Sequence, residues 1–179
     1  SFDMMRNALR ELIEGLEEKV EERTTELEKS KQDIYEQEQR SRLLLESVRD
    51  GIFGVDIEGK VTFINPAALA LLGYDIDELM GKAIHPIIHH SRNDGSSYPV
   101  EECPMRAAFK DGKSSLVDNE VLWTRSDEAI DVEYAAVPMH RGDLLVGAVS
   151  VFRDIRQRKE NERRIKNSER EFRTMVATI

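Results

Sequence analysis

The spacing of apolar residues changes twice along this 179-residue chain, and each change marks a different kind of structure. The first stretch has a period of seven. Ile13, Val20, Leu27 and Ile34 take the a positions of a heptad, and the d positions are Leu9, Leu16, Arg23, Ser30, Gln37 and Leu44. A seven-residue apolar repeat keeps one stripe on an under-wound helix, and that stripe needs a partner. β-Branched residues at three of these a positions (Ile13, Val20 and Ile34) favour two parallel strands. The pattern predicts a helix over about residues 3–48, roughly 70 Å long, paired with a second copy into a homodimer. The alternative is a solvated single helix that only spaces two parts. The seam is apolar at both ends but polar in the middle, at Arg23, Ser30 and Gln37, which weakens packing locally while limiting register.

From about residue 49 the period falls to two. Gly51–Ile57 and Lys60–Asn65 read as short strands joined by an acidic-glycine turn at Glu58-Gly59. Asn65-Pro66 starts a helix, with asparagine as N-cap and proline at the first helical position; Ala67–Leu72 continues it and Gly73 ends it. Asp75 caps a second short helix containing Ile76, Leu79 and Met80. Residues 84–102 read as irregular, and Glu102–Lys110 as a further helix closed by Asp111-Gly112. Three longer strands follow, at about 114–124, 129–139 and 144–154. Their alternation shows in Val117, Asn119, Val121, Trp123 and in Ile130, Val132, Tyr134, Ala136. Two strands, several short helices and three strands predict an α+β domain, a five-stranded antiparallel sheet with helices on one face.

The last stretch returns to seven. Arg158, Ile165, Phe172 and Ile179 are so spaced, with Ser168 and Met175 between them. This helix is expected to begin at Ile155 with no break after the last strand, so that strand and helix are mechanically continuous. Phe172-Arg173-Thr174-Met175-Val176 echoes Leu44-Leu45-Glu46-Ser47-Val48, as if a second copy of the unit began there.

Composition sharpens these divisions. Residues 1–48 carry 13 acidic and 8 basic side chains, 49–154 carry 18 and 10, and 155–179 carry 4 and 8. All five prolines, and every glycine but Gly15, lie in the middle block, so the flanks read as uninterrupted helix. The net charge of -9 argues against nucleic acid as a partner, which calls for a basic face. One cysteine forms no intrachain disulfide. The longest apolar run, Ala67–Leu72, is far short of the roughly 20 residues of a membrane helix, and no secretory signal is visible. A cytoplasmic chain is expected.

In sequence, Leu45-Glu46-Ser47-Val48-Arg49-Asp50-Gly51-Ile52-Phe53-Gly54-Val55-Asp56, then Asn65-Pro66-Ala67-Ala68 and Leu72-Gly73-Tyr74, resembles the opening of a PAS sensor domain. Residues 144–159, ending Arg153-Asp154-Ile155-Arg156-Gln157-Arg158-Lys159, resemble its closing strand and Asp-Ile-Thr linker signature, with Arg156 in place of the usual threonine. Leu16–Leu27 is similar to the helix that joins HAMP modules to PAS domains in bacterial sensor kinases, and Ser1–Met5 looks like the end of a HAMP helix. The resemblance implies a HAMP-like end over 1–10, a signalling coiled coil over 11–44, a PAS domain over 45–154 and a linker helix over 155–179. It also implies a parent receptor in the bacterial inner membrane. Its membrane helices would lie upstream and its output module, such as a histidine kinase, downstream.

Catalytic motifs are missing from the sequence: no glycine-rich phosphate loop, no phosphoacceptor histidine setting, no Gly-x-Ser-x-Gly elbow. A non-enzymatic module is expected. One cluster carries chemistry: His85, His89, His90 and Cys103 lie within 19 positions. Imidazole and thiolate ligate zinc, iron or copper. The alternative is a loop held by local hydrogen bonds, with Asp94-Gly95 as a turn and Cys103 a small buried residue. The spacing is not a recognised zinc pattern, and both metal and haem stay open beside that reading. The cysteine motif of the photoactive flavin-binding PAS branch does not occur at Ile84–His90. Trp123 could stack on a flavin or fill the core. Phe53, Asn65, Leu72 and Phe109 could line a pocket or serve the core and the helix cap. Asp154, Ile155 and Arg158 form the expected signal-relay joint, with Asp154 capping the last helix and pairing with a base such as Arg158.

Overall fold

The computed structural model describes residues 2–177 and divides into two units, one up to Leu45 and one from Glu46 onwards. The first unit is nearly all of one helix, α1 (Phe2–Ser47), of 46 residues, none of them buried. Its seam residues stand in the open: Leu9, Ile13, Leu16, Val20, Leu27, Ile34 and Leu44 are between 47% and 70% exposed. Local side-chain pairs such as Arg23–Glu26 and Gln32–Glu36 lie along its surface.

The second unit is built on a five-stranded antiparallel sheet. Its strands are β1 (Gly51–Asp56), β2 (Val61–Ile64), β3 (Ser115–Trp123), β4 (Ala129–Arg141) and β5 (Leu144–Asp154), in the spatial order β2-β1-β5-β4-β3. Between β2 and β3 run α2 (Pro66–Leu72), α3 (Ile76–Leu79), α4 (His85–Ile88), a 3-10 turn at Val100–Glu102 and α5 (Pro104–Asp111). α6 (Arg156–Ala177) follows β5.

The β1–β2 turn forms because Asp56 Oδ1 accepts from the backbone N–H groups of Glu58 and Lys60. Gly59 takes a left-handed φ of 81° there, which costs glycine nothing. A Cβ at that position would also meet the Phe109 ring at 2.9 Å. Asn65 does more than cap α2. Its Oδ1 accepts from Ala68 N at 2.9 Å and from Ile52 N at 2.8 Å, while Nδ2 donates to Asp50 O at 3.0 Å. One buried amide thus fastens the start of β1 to the start of α2. Gly73, left-handed, closes α2 by donating to Leu69 O.

The core lies between the sheet and helices α2, α4 and α5. β4 supplies Ile130, Val132, Tyr134 and Ala136, all buried, as a period of two requires. Phe53 and Phe152, on neighbouring strands β1 and β5, pack with ring centroids 6.1 Å apart.

Three local expectations fail. The alternation Val117-Asn119-Val121-Trp123 does not persist, because the β3–β4 register shifts between Val117 and Glu120. An extra residue in one strand moves all later side chains to the other face, and so Leu122 joins the core while Glu120 turns inward. Residues 84–102 are not wholly irregular: they hold α4 and the 3-10 turn, and the next helix starts at Pro104 rather than Glu102. The last helix does not begin at Ile155. That residue is non-helical and 2% exposed, and its N–H donates to Asp131 O on β4 at 2.9 Å.

Candidate functional site: a buried His-Cys-Glu cluster and the strand-to-helix joint

Residues His85 and His89 are one turn apart, at the first residue of α4 and just past its end, so their side chains share a face. Their ring centroids are 5.6 Å apart. Cys103, at the N-cap of α5, reaches the same place, with Sγ 3.1 Å from His89 Nδ1. One possible ligating atom from each of His85, His89 and Cys103 lies within 4.8 Å of the other two. His89 is 1% exposed and Cys103 4%.

Behind His89 stands Glu120, which the β3 bulge turns inward. Its Oε2 lies 3.3 Å from His89 Nε2, close enough for charge attraction but not aligned for a hydrogen bond. The same oxygen accepts from Tyr134 Oη at 2.7 Å. The Tyr98 ring meets His89 edge-on, centroids 4.7 Å apart, and the Arg92 guanidinium lies 4.0 Å from the Tyr98 ring centre.

These groups set one another's charge. Burial alone would lower the His89 pKa, but the Cys103 and Glu120 side chains outweigh it and raise it to about 9. Burial alone would raise Cys103; His85 and His89 instead bring the thiol down to about 6. Glu120 is likewise held below its usual range, because His89 and Tyr134 more than offset its burial. Burial and then the Glu120 carboxylate push Tyr98 and Tyr134 upward. Each shift favours the charged form of its group, so thiol, imidazole and carboxyl support one another's charge in a row. Beside it is a cavity of about 240 Å³, lined by His85, His89 and Cys103 together with apolar residues such as Ile88, Met105 and Phe109.

Not every residue singled out in the sequence comes here. His90 leaves the group: past the end of α4 its ring turns the other way. There it stacks on Trp123, centroids 5.4 Å apart, with Nδ1 2.8 Å from Ser91 Oγ. Trp123 is half-buried and donates Nε1–H to Ser91 O at 2.8 Å, so it clamps the loop rather than filling the core. Phe53 and Leu72 are core residues, Asn65 is the clamp already described, and Phe109 both packs in the core and lines the cavity. Glu120 escaped the sequence reading, and Tyr134 was legible only as an inward position of its strand. A lone glutamate among Val117, Val121 and Leu122 was the available signal.

A second cluster lies at the β5–α6 joint. Asp154 Oδ1 accepts from Arg156 N at 2.8 Å, closing the turn one residue ahead of the helix. The nearby base that clasps its carboxylate is Arg156, at 2.7 Å, rather than Arg158. Burial would raise the Asp154 pKa, but Arg156 holds it below its usual value. Arg158 instead reaches across to Glu133 on β4, at 2.7 Å. Arg156 also bonds Glu128, and Lys159 bonds Asp131 and Asn119. The first turn of α6 is thus tied to β3, to β4 and to the turn before β4.

The PAS-domain family model matches residues 49–157, and the chain belongs to that family of sensor domains. Among individual proteins, it is 28% identical over 130 residues to the signal transduction histidine-protein kinase AtoS of Escherichia coli K12, covering 72% of this chain and 20% of AtoS. It is 25% identical over 145 residues to the probable diguanylate cyclase DgcE of the same bacterium, covering 80% of this chain and 13% of DgcE. The chain therefore spans a fifth or less of these relatives. In fold it is similar to the PAS domain of the HTR-like protein from Haloarcula marismortui, with a TM-score of 0.58 at 18% identity, covering 72% of this chain and 99% of that one. Among the described residues, no helix is long and apolar enough to cross a membrane.

Proposed function

We propose that this chain is the signal-passing module of a larger sensor protein. Two copies pair along α1, the PAS unit changes state, and the change leaves through the β5–α6 joint to an output module further along the parent chain. The observation that carries this reading is the lattice of ion pairs at the joint. Ile155 is bonded into β4, and Arg156, Arg158 and Lys159 tie the first turn of α6 to side chains of the sheet and its turns. A small displacement of β3 or β4 therefore reorients the base of a 22-residue helix. Each exposed pair contributes only about 0.2–1 kcal/mol, the scale at which a two-state element is readily biased.

The exposed seam of α1 supports pairing, since no residue of that helix is buried within one chain. A histidine kinase and a diguanylate cyclase both share this region, which fits one input module serving different outputs. In this reading the parent is a membrane receptor with a HAMP-like segment upstream. The test is the double variant Arg156→Ala, Arg158→Ala in the full-length parent. Output is expected to change several-fold in its response to the upstream signal, with the oligomeric mass unaltered. An unchanged response would remove the joint from the mechanism.

A further inference from the structure

We infer that His85, His89 and Cys103 form a binding site for a zinc-type divalent cation, with a fourth position open to the adjoining cavity. Two imidazoles and a thiolate match the borderline-soft donor preference of zinc, which catalytic and sensing sites hold with three protein ligands and one exchangeable ligand. The spacing is right. A tetrahedral zinc ion, with bonds of about 2.0–2.1 Å to nitrogen and about 2.3 Å to sulfur, keeps its nitrogen and sulfur ligands about 3.5 Å apart. Here the His89–Cys103 pair is at 3.1 Å and no separation in the set exceeds 4.8 Å. These values bracket the required one, so small rotations of the rings suffice. The cation replaces the proton that His89 Nδ1 and Cys103 Sγ share.

Two further observations point to a ligand. The Nε2 atom of His85 is buried without a hydrogen-bond partner, an arrangement that native interiors seldom keep without a reason. Glu120 stands 3.3 Å from His89 Nε2, where a carboxylate behind a ligating histidine fixes the ring and strengthens its donor nitrogen. Tyr134 holds that carboxylate in turn. The cavity, at about 240 Å³, is smaller than the roughly 300–1,000 Å³ of sites for drug-sized ligands. That favours an ion with water or a small anion over haem or flavin. The site does not depend on pairing through α1 or on the joint at α6.

The test uses the full chain expressed without a polyhistidine tag and stripped with chelator. Zinc is titrated in competition with a chromophoric chelator. One equivalent per chain is expected, with affinity at least roughly 100-fold weaker in His85→Ala and in Cys103→Ser. His90→Ala, which lies outside the group, is expected to stay within about threefold of wild type. Glu120→Gln, a change to a positioning residue, should cost roughly 10–100-fold. Cobalt(II) bound to the unaltered chain should show a thiolate-to-metal charge-transfer band, a readout that needs no variant to fold. The site is refuted if the wild type binds no stoichiometric zinc, if its cobalt complex lacks that band, or if folded His85→Ala and Cys103→Ser variants keep wild-type affinity.

Discussion

Val132 and Tyr134 on β4 are almost fully buried, whereas Val20 and Leu27 on α1 are 63% and 70% exposed. Both pairs are apolar residues at regular spacing, and only one pair finds its partners within the chain. The PAS unit completes its own core by laying α2, α4 and α5 on the sheet. The helix has a stripe, and none of its described residues is buried. A 46-residue helix with so little burial is marginal by itself, because helices in water draw most of their stability from packing of an apolar face. The difference separates a unit that has its own core from a helix that, in the proposed reading, is ordered by a second chain.

The strongest way to break this comparison is to damage each unit in turn. Phe53→Ala removes a core ring that touches Phe152 and should destabilise the PAS unit by about 3–5 kcal/mol, measured by urea unfolding. Val20→Asp in the seam should leave that unfolding midpoint within about 0.5 kcal/mol while abolishing the dimer and lowering far-ultraviolet helicity. A seam variant that unfolds the PAS unit would contradict the division. Asn65→Ala is next in size. It removes the cap and the bonds to Ile52 and Asp50, with an expected loss of about 2 kcal/mol on the same urea curve.

Replacing Arg23, Ser30 and Gln37 together by Leu sharpens the comparison from the other side. The dimer should tighten by about tenfold or more, since buried leucines at d contribute more than solvated polar groups. Sedimentation equilibrium reads this directly, and unchanged affinity would show that these positions are not in the seam.

The smallest effect is that of acid. Hydrogen bonds from Arg153 hold the Asp50 pKa below 3.8, and Arg156, against the opposing effect of burial, does the same for Asp154. A lowered folded-state pKa means that the stabilisation is complete above the unfolded value and disappears as pH falls through the folded one. PAS-unit stability measured against pH should lose about 0.2–1 kcal/mol per pair below pH about 4. Asp50→Asn should reduce that loss. A loss already complete at pH 6 would assign the dependence to other groups.

Much of the fold was legible in the sequence because its signals are local. Asn65-Pro66 and Gly73 mark the ends of α2 through backbone chemistry that no tertiary contact overrides. The alternation on β4 was legible because the extra residue of the β3 bulge lies on β3, while β5 keeps β4 in register over Val132–Met139. The β3 bulge was hidden, since a one-residue insertion in the pairing leaves no mark on residue type. It concealed Glu120, and with it the carboxylate behind His89. α4 was hidden by its single turn, so His85 and His89 could not be told from His90 by spacing alone. At the joint, Asp154 was found by position, but its partner is Arg156, the residue that departs from the usual threonine. Arg158 lies nearer β4 and takes Glu133.

The proposed contrast, between a sensor unit with its own core and a helix that pairs with a second copy, is tested most directly by light scattering of the purified chain at tens of micromolar. The account predicts a mass of about twice the 20.5 kDa of one chain, falling to the single-chain value in Val20→Asp. A wild-type chain that scatters as a monomer at that concentration would contradict it.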